Sequence, residues 1–288
     1  MVRNLCCKQH VTMAISAFGA MQRLSADRIE FLVHEDGSFD ESDIELVQTS
    51  VANARVVRRK DADENVTDQL SRYPLLLQAR AQIPYFLKLL DILLIEPTEI
   101  TCFLDSDVLF LRPFSHFADL TAHGARAIFM TDIQNAYGFR LFDFWPVGNI
   151  RFARKLNSGF FAVSSAEVEM DYIHWILRRS GLERARFHTG WFEQGIWAAI
   201  GYRLKAHLYD PDQISLVTEP ETLARGPVAM HFTGRSRLRF SEFAREAADA
   251  STRGGGICEQ LRSVPATEYT AAEALYRSLS WRVRRCGR

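Results

Sequence analysis

The sequence predicts an α/β fold in which helices flank a largely parallel central sheet. Short apolar segments alternate with segments of helical spacing from the first residues onward, which is the pattern of repeated β–α units. The segment from Ile100 to Leu104 is mostly apolar without alternation, as expected for a strand that is buried on both faces of such a sheet. The chain of 288 residues contains 47% hydrophobic and 24% charged residues, enough apolar material for a sizeable core.

Each predicted element has a local signal. Strands are expected at 5–7, 28–34, 54–57, 127–130, 156–163 and 228–232, in addition to the strand that begins at Ile100. Helices are expected at 10–24, 84–95, 165–178, 193–200 and 241–250, with a further helix capped by Asp40 or Ser42. Pro84 suits a first helical turn, where its missing N–H is not needed. Residues 58–68 are mostly polar and are expected to form a connection.

Two carboxylates, Asp105 and Asp107, follow the strand that begins at Ile100 and interrupt an apolar run. Charges in such a setting are costly unless another charge compensates them. In extended backbone, residues i and i+2 point to one side, and two converging oxygen donors suit a hard divalent cation such as Mn²⁺ or Mg²⁺. The alternative is that Asp105 opens a turn and that Asp107 is a helix cap or a surface charge.

Other polar residues also follow predicted strands. They are Cys7 with Lys8, Asp36, Asp132 and His231. In a parallel sheet, ligands bind outside the carboxyl ends of the strands. We therefore expect these side chains to gather around one site with Asp105 and Asp107, which favours the metal interpretation of the two aspartates.

Charge and cysteine content argue against several classes of protein. Lysine plus arginine and aspartate plus glutamate both number 35, so no net field favours nucleic acid or an acidic partner. The five cysteines are odd in number and show no Cys-x-x-Cys spacing, which fits a reducing compartment rather than a disulfide framework or a zinc ribbon. Neither a secretory signal nor a bilayer-spanning apolar stretch is recognisable, so we expect a cytoplasmic protein.

The character of the sequence changes after Phe240, which predicts a domain over 1–240 and a helical extension over 241–288. Gly254 to Gly256 form an expected flexible break, and 271–285 are expected to form a basic amphipathic helix. Its apolar face would carry Leu275, Leu279 and Val283, and its charge would come from Arg277, Arg282, Arg284 and Arg285. We expect this helix to pack on the domain, with peripheral contact to an anionic membrane as the alternative.

Four motifs occur in a fixed order within residues 1–240. They are Leu104-Asp105-Ser106-Asp107-Val108-Leu109, Asn157-Ser158-Gly159-Phe160-Phe161, Glu193-Gln194 and His231-Phe232-Thr233-Gly234. This set resembles the GT-A-type glycosyltransferases, in particular families related to glycogenin and the bacterial galactosyltransferases. The segments 33–38 and 87–91 are also similar to the nucleotide-binding half of bacterial members. The resemblance implies a GT-A fold and transfer of a hexose from a nucleotide-sugar, expected to be a UDP-sugar, to a hydroxyl acceptor.

The resemblance also implies a metal set of Asp105, Asp107 and His231. A nucleoside diphosphate becomes a good leaving group when a divalent ion neutralises its charge. A neutral imidazole among oxygen ligands favours Mn²⁺ over Mg²⁺. The alternative role for His231 is that of a hydrogen-bonded histidine at the end of a strand.

The remaining implied roles concern the donor. The implied donor-binding residues are Cys7, Lys8, Asp36, Arg80, Lys88, Asp105, Ser106, Asn157, Ser158, Gly159 and Gly234. Among them, Asp36 would accept from the uracil N–H, Lys88 or Arg80 would approach the diphosphate, and residues 157–159 would contact the sugar hydroxyls. Gly234 allows backbone N–H groups to approach a phosphate closely. The residues after His231-Phe232 lack the Lys-Pro-Trp ending of the glycogenin type. Either Arg235 or Arg239 is expected to replace its phosphate contact, or the donor loop differs.

Glu193 and Gln194 are the implied catalytic pair. A carboxylate at Glu193 would deprotonate the acceptor in an inverting enzyme or hold the sugar in a retaining one. Structural alternatives remain open: Glu193 as a helix N-cap, residues 157–159 as a bulge or turn, Asp36 as a turn residue, and Lys88 or Arg80 as solvated cations.

The expected partners are a nucleotide-sugar and an acceptor that is a saccharide, a lipid-linked saccharide or a protein. Two other functions remain open at this point. One is a nucleotide-sugar-binding domain without catalysis. The other is a sugar nucleotidyltransferase, which normally has a Gly-rich loop where this chain has Cys7-Lys8-Gln9-His10.

Overall fold

The computed structural model describes residues 1–139, 150–219, 226–252 and 257–276. The helices are α1 Val11–Leu24, α2 Glu41–Ser50, α3 Arg59–Gln69, α4 Pro74–Gln82, α5 Tyr85–Leu94, α6 Met170–Ser180, α7 Leu182–Arg203 and α8 Phe240–Thr252. The strands are β1 Val2–Cys6, β2 Phe31–Glu35, β3 Ala54–Val57, β4 Ile100–Leu104, β5 Val108–Phe110, β6 Phe114–Ser115, β7 Ala127–Thr131, β8 Phe152–Ala153, β9 Leu156–Ser164, β10 His207–Tyr209, β11 Ile214–Val217, β12 Ala229–Phe232, β13 Glu259–Gln260, β14 Ser263–Pro265 and β15 Glu268–Tyr269.

An eight-stranded sheet with the order β14-β10-β7-β9-β4-β1-β2-β3 forms the centre of the molecule. The pairs β10–β7, β4–β1, β1–β2 and β2–β3 are parallel, whereas β9 runs antiparallel to both β4 and β7. The edge strand β14 is antiparallel to β10. The predicted α/β class is confirmed.

Two apolar clusters contain the core residues. One includes residues of α1, α2 and α8, and the other includes residues of α4 to α7. In the second cluster, Phe103 of β4, Phe161 of β9 and Phe129 of β7 stack in sequence with ring centroids 5.4 and 5.0 Å apart. Trp197 of α7 packs on Phe161 at 4.6 Å. Such interlocked aromatic rings hold β4 and β9 in a defined relative position.

A second, three-stranded sheet places a late strand beside the two aspartates. Its order is β11-β12-β5, and β12 pairs antiparallel with β5 so that His231 lies opposite Val108. Val108 is the residue after Asp107. Because strand pairing fixes neighbouring residues at close distance, this register brings His231 to Asp107 across more than a hundred residues of chain.

Several predicted elements differ from those observed. Asp105 and Asp107 do not lie in extended backbone; they lie in a turn between β4 and β5, in which the Val108 N–H donates to the Asp105 carbonyl at 3.1 Å. The expected connection at 58–68 is the helix α3, whose only buried residues are Ala62 and Val66. A helix with so little apolar surface gives no periodic signal in the sequence.

The expected helices at 165–178 and 193–200 also have different bounds. The first is a 3₁₀ turn at Ser165–Glu167 followed by α6. The second lies within the longer α7, which is kinked at Thr189, where φ is 26° and ψ is −100°. The expected cap of α2 is confirmed at Asp40, whose side chain accepts from the Asp43 N–H in a capping box.

Residues after Phe240 contribute to the sheets as well as to helices. α8 contacts α1, and β14 extends the central sheet. Residues 271–276 are helical. The expected continuation of this helix to Arg285 and the glycines from Gly254 to Gly256 lie outside the described residues. Among the helices described, none combines the length and apolar character that crossing a bilayer requires.

Candidate metal centre and adjoining cleft

Backbone hydrogen bonds from two sheets hold the turn that carries the aspartates. The Asp105 N–H donates to the Gly159 carbonyl of β9 at 2.6 Å, and the Phe232 N–H of β12 donates to the Asp107 carbonyl at 2.8 Å. Asn4 of β1 also donates through Nδ2 to the Leu104 carbonyl at 2.6 Å. The turn is therefore fixed from three sides, and its two carboxylates have defined positions.

His231 completes a cluster with both aspartates. Its Nε2 lies 3.0 Å from Asp107 Oδ1 and 3.9 Å from Asp105 Oδ2. One ligand atom from each of the three residues lies within 4.8 Å of the others. Its Nδ1 lies 3.2 Å from Asn157 Oδ1, so a proton on Nδ1 is bound by that amide oxygen. Without an ion, Nε2–H donates to Asp107 Oδ1 at 3.0 Å. A bound metal ion would replace that proton while Asn157 keeps the proton on Nδ1, which is the tautomer that a metal-binding imidazole needs.

The electrostatics of the cluster match a cation site. Burial raises the pKa of Asp105. Burial would also raise the pKa of Asp107, but His231 and Arg237 hold it well below its usual range. For His231 burial opposes protonation, yet the adjacent Asp107 raises its pKa overall. Two carboxylates and one imidazole form a donor set that Mn²⁺ accepts readily, so these residues fit the implied metal ion.

Lys88 of α5 faces Asp105. Its Nζ is 3.1 Å from both carboxylate oxygens of Asp105 and 3.4 Å from Ser158 Oγ. It is also 3.8 Å from Glu193 Oε1. Burial would lower the pKa of Lys88, but the charges of Asp105 and Glu193 raise it overall. The amine therefore stays charged, and the alternative of a solvated lysine is wrong because the residue is only 3% exposed.

Glu193 lies inside α7 with its carboxylate buried. Its Oε2 accepts from Ser158 Oγ at 3.0 Å. Burial raises the pKa of Glu193 to about 7. The N-cap alternative for Glu193 is wrong, because α7 begins at Leu182 and the kink at Thr189 lies four positions earlier.

Asn157 links this region to the neighbouring strand β7. Its Nδ2 donates to Gln194 Oε1 and to Asp132 Oδ2, each at 3.1 Å. Gln194 Nε2 also donates to Asp132 Oδ2 at 3.0 Å. The β7–β9 register shifts at this point, with Phe129 opposite Phe161 and Met130 opposite Asn157. Residues 157–159 therefore lie at a bulge. Because a bulge changes the direction in which side chains point, these residues also face the cluster.

Position 159 must be a glycine because its backbone lies very close to the ring of His231. A Cβ on Gly159 would lie 2.4 Å from His231 Cε1 and 2.6 Å from His231 Nδ1. Only a residue without a side chain leaves room for the ring there.

Arg237 faces the site, although Arg235 and Arg239 were the expected residues. Its Nε and Nη2 both donate to Asp107 Oδ2, at 2.8 and 2.5 Å. Arg235 pairs instead with Glu219, and Arg239 pairs with Glu242. The sequence alternates arginines over 235–239, and only the observed 3₁₀ turn at Gly234–Arg239 shows which one turns inward. The expectation for Arg235 and Arg239 is therefore corrected to Arg237.

A cleft of about 210 Å³ adjoins the cluster. It is lined by Leu5, Cys7, His10, Asp36, Pro84, Tyr85, Lys88, Asp105, Ser106, Asp107 and Arg237. Five of the eleven sequence-predicted donor residues line it: Cys7, Asp36, Lys88, Asp105 and Ser106. Within it, Asp36 accepts from the Ser38 N–H at 3.1 Å, so the turn role and a place in the cleft coexist.

Six of the eleven predicted donor residues do not line this cleft. Asn157, Ser158 and Gly159 lie beside His231, Glu193 and Lys88 instead. Gly234 begins the turn that carries Arg237. Lys8 is exposed and pairs with Asp40 and Asp43. Arg80 is buried, and its guanidinium donates to Asp91 and Asp63. Arg80 is thus part of an ion-pair cluster of its own, neither solvated nor facing the cleft.

Three polar lining residues were not predicted from the sequence. His10, Tyr85 and Arg237 belong to segments whose helical phase sets the side that they face. Tyr85 follows Pro84 at the start of α5, one helical turn before Lys88, and this i, i+3 spacing was the available signal. Gly234 has a φ of +59°, a left-handed conformation that glycine adopts without strain.

Comparison with known proteins gives matches among solved structures. No protein-family model matches the chain, and no curated protein matches it in sequence. The apo form of mouse xyloside xylosyltransferase 1 is similar with a TM-score of 0.49 at 14% identity, over 80% of this chain and 96% of that one. The galactosyltransferase LgtC, in complex with donor and acceptor sugar analogues, has a TM-score of 0.48 at 11% identity, over 86% and 95%. The bifunctional glycosyltransferase WbbM in its apo form has a TM-score of 0.47 at 12% identity, over 86% of this chain and 49% of that one.

Proposed function

We propose that this protein is a metal-dependent GT-A-type glycosyltransferase that moves a hexose from a UDP-sugar to a hydroxyl acceptor. The observation that carries the proposal is the convergence of Asp105, Asp107 and His231, whose ligand atoms lie within 4.8 Å of one another beside a cleft. Buried titratable groups that converge from separate elements beside a cleft favour a functional site.

Asp105, Asp107 and His231 would hold the ion, with Mn²⁺ preferred. Bound there, the ion supplies positive charge to the leaving diphosphate. Asn157 keeps the His231 imidazole in the tautomer that exposes Nε2, through the 3.2 Å contact at Nδ1. Lys88 lies 3.1 Å from Asp105, and its charge opposes the effect of burial on the pKa of that carboxylate and holds the carboxylate in place.

The cleft orients the donor from its nucleotide end to its sugar end. Cys7 and Asp36 lie at the ends of β1 and β2, where Asp36 would accept from the base. Ser106, between the aspartates, donates through Oγ to the Cys6 sulfur at 3.9 Å and lines the same cleft. The ribose and diphosphate would therefore pass over the turn that holds the ion.

The sugar end of the site would lie toward Asn157, Ser158 and Glu193. Glu193 is 1% exposed and accepts from Ser158, so its carboxylate is placed to position Ser158 and Lys88. Proton abstraction from an acceptor requires direct access to its hydroxyl. Direct contact with the sugar requires the same access, so we assign Glu193 neither of the two chemical roles that the sequence left open. It acts as a positioning residue for Ser158 and Lys88.

Isothermal titration of UDP with and without Mn²⁺ tests the proposal. Wild-type protein should bind UDP only when Mn²⁺ is present, and Asp107→Asn should weaken that binding by at least about 100-fold. Asp119→Asn, at a half-exposed carboxylate outside the cleft, is the matched control and should bind as wild type. Absence of Mn²⁺-dependent UDP binding would sink the proposal. Binding without turnover of any UDP-sugar would assign the chain to the non-catalytic alternative.

A further inference from the structure

Each aspartate of the metal centre has an internal cation of its own. Lys88 neutralises Asp105, and Arg237 neutralises Asp107. The two cations differ in their freedom to move. The Lys88 side chain is 4% exposed and is held by several partners, whereas the Arg237 side chain is 44% exposed. Half-exposed ion pairs are cheap to separate, and buried ones are not.

Arg237 and a divalent ion would use the same carboxylate. Two N–H groups of Arg237, on Nε and Nη2, donate to Asp107 Oδ2, while Oδ1 faces His231 Nε2 at 3.0 Å. The Nε–H is shared with the Phe232 carbonyl at 3.2 Å. A guanidinium at this place reduces the negative charge that attracts the ion and repels it directly. Arg237 therefore opposes ion binding for as long as it remains on Asp107.

The same side chain is also placed to meet the donor. Arg237 lines the cleft together with Lys88, Asp105 and Asp107. It lies on a short 3₁₀ turn, Gly234–Arg239, from which a long side chain can change rotamer without moving a helix or strand. A guanidinium binds diphosphate oxygens through paired N–H groups, so a diphosphate offers Arg237 a replacement for Asp107.

We propose that Arg237 is a displaceable counter-ion of Asp107: a divalent ion displaces it, and its guanidinium transfers to the diphosphate of the nucleotide. This inference rests on the proposed function, because it takes the ligands to be a divalent cation and a nucleoside diphosphate. Its consequence is thermodynamic coupling. Arg237 weakens the binding of the ion alone and strengthens the binding of nucleotide in the presence of the ion, so the two ligands bind cooperatively.

The neighbouring arginines provide matched controls. Arg235 and Arg239 carry the same charge in the same turn, but they pair with Glu219 and Glu242. Neither lines the cleft. Removing one of these charges changes the long-range field by the same amount without releasing Asp107.

The experiment measures Mn²⁺ affinity by electron paramagnetic resonance of the free ion, first without nucleotide and then with UDP. Arg237→Gln should bind Mn²⁺ alone about three- to tenfold more tightly than wild type. With Mn²⁺ saturating, the same variant should bind UDP about tenfold more weakly, because a charged hydrogen-bond partner of the phosphates is gone. Arg235→Gln should change neither affinity by more than about twofold.

Three results would overturn the inference. If Arg237→Gln weakens the binding of Mn²⁺ in the absence of nucleotide, Arg237 favours ion binding instead of opposing it. If only UDP binding falls while Mn²⁺ alone is unchanged, Arg237 is a phosphate contact without exchange. If Arg237→Gln and Arg235→Gln behave alike, the effect comes from the loss of one positive charge and not from the release of Asp107. Failure of the proposed function has a different signature, since wild type would then show no Mn²⁺-dependent UDP binding at all.

Discussion

Substitution of Gly159 by alanine should disable the metal centre while leaving the fold intact. The added Cβ would lie 2.4 Å from His231 Cε1. Ordinary carbon contacts lie near 3.4 Å or beyond, so the ring would have to move by about 1 Å. His231 is 5% exposed and is held between Asn157 and Asp107, so this movement displaces Nε2 from its position 3.0 Å from Asp107 Oδ1.

The expected magnitude follows from the tolerance of metal sites. Ligand positions must hold to within about 0.2 Å, and disturbing the partner that orients a ligand costs about 10- to 100-fold in affinity. A displacement of the ligand itself should therefore reduce Mn²⁺ affinity by at least about 100-fold. Overpacking should lower the free energy of unfolding by about 1–3 kcal/mol, which leaves a folded domain to assay.

Isothermal titration of Mn²⁺ in the presence of UDP measures the first effect, and urea unfolding measures the second. Gly201→Ala is the control, because its Cβ would meet the Leu156 Cδ1 at 2.7 Å, a comparable clash with an apolar side chain. The Gly201→Ala variant should lose stability without losing affinity for Mn²⁺. If folded Gly159→Ala binds Mn²⁺ as tightly as Gly201→Ala, the placement of His231 is wrong.

Other buried charges give further predictions. Lys88→Met should lower the free energy of unfolding by about 3–5 kcal/mol, because it leaves Asp105 uncompensated; added Mn²⁺ should restore part of this loss in urea unfolding. Arg80→Met should cost a similar amount, about 3–5 kcal/mol, through Asp91, with the UDP affinity of the remaining folded protein unchanged. His34 is buried and burial lowers its pKa to about 3. Since the unfolded chain binds the proton below about pH 6.5 and the folded state does not, stability should fall between about pH 6.5 and 3, by about 2 kcal/mol at pH 5, a loss absent in His34→Leu.

Each of these predictions has an opposite outcome that would contradict it. Mn²⁺ that fails to stabilise Lys88→Met would show that Lys88 does not act at the ion site. A large loss of UDP affinity in Arg80→Met would restore Arg80 as a phosphate contact. Unfolding curves of His34→Leu that keep the wild-type pH dependence would assign the acid sensitivity to carboxylates instead.

Much of the architecture and of the chemistry of the site could be predicted from local sequence patterns. The apolar run of Ile100 to Leu104 predicted a buried strand, and it is β4. Asp40 predicted a helix start, and the capping box is present. The strand ends that carry Asp36 and Asp105 meet at one cleft, because the parallel strands β2, β1 and β4 present their carboxyl ends at the same edge. Such features depend on residues a few positions apart, and the chain records them directly.

Whether an element forms was harder to predict where packing decides. α3 is nearly all polar at its surface and was expected to be a connection. The short strands β10 and β14 have only three residues each and pair across the edge of the sheet. In such elements the stabilising contacts come from distant parts of the chain, so local propensity carries little information.

The sequence alone determined which residue types are available to bind a cation, and the tertiary structure decided which of them meet. Asp105, Asp107 and His231 were identifiable by their motifs, but the antiparallel register of β5 and β12 sets His231 opposite Val108. Three arginines alternate over 235–239, and the conformation of the 3₁₀ turn determines that Arg237 is the one that contacts Asp107. Likewise, Lys88 and not Arg80 reaches Asp105. Side-chain direction depends on helical phase and strand register, which are properties of the packed whole.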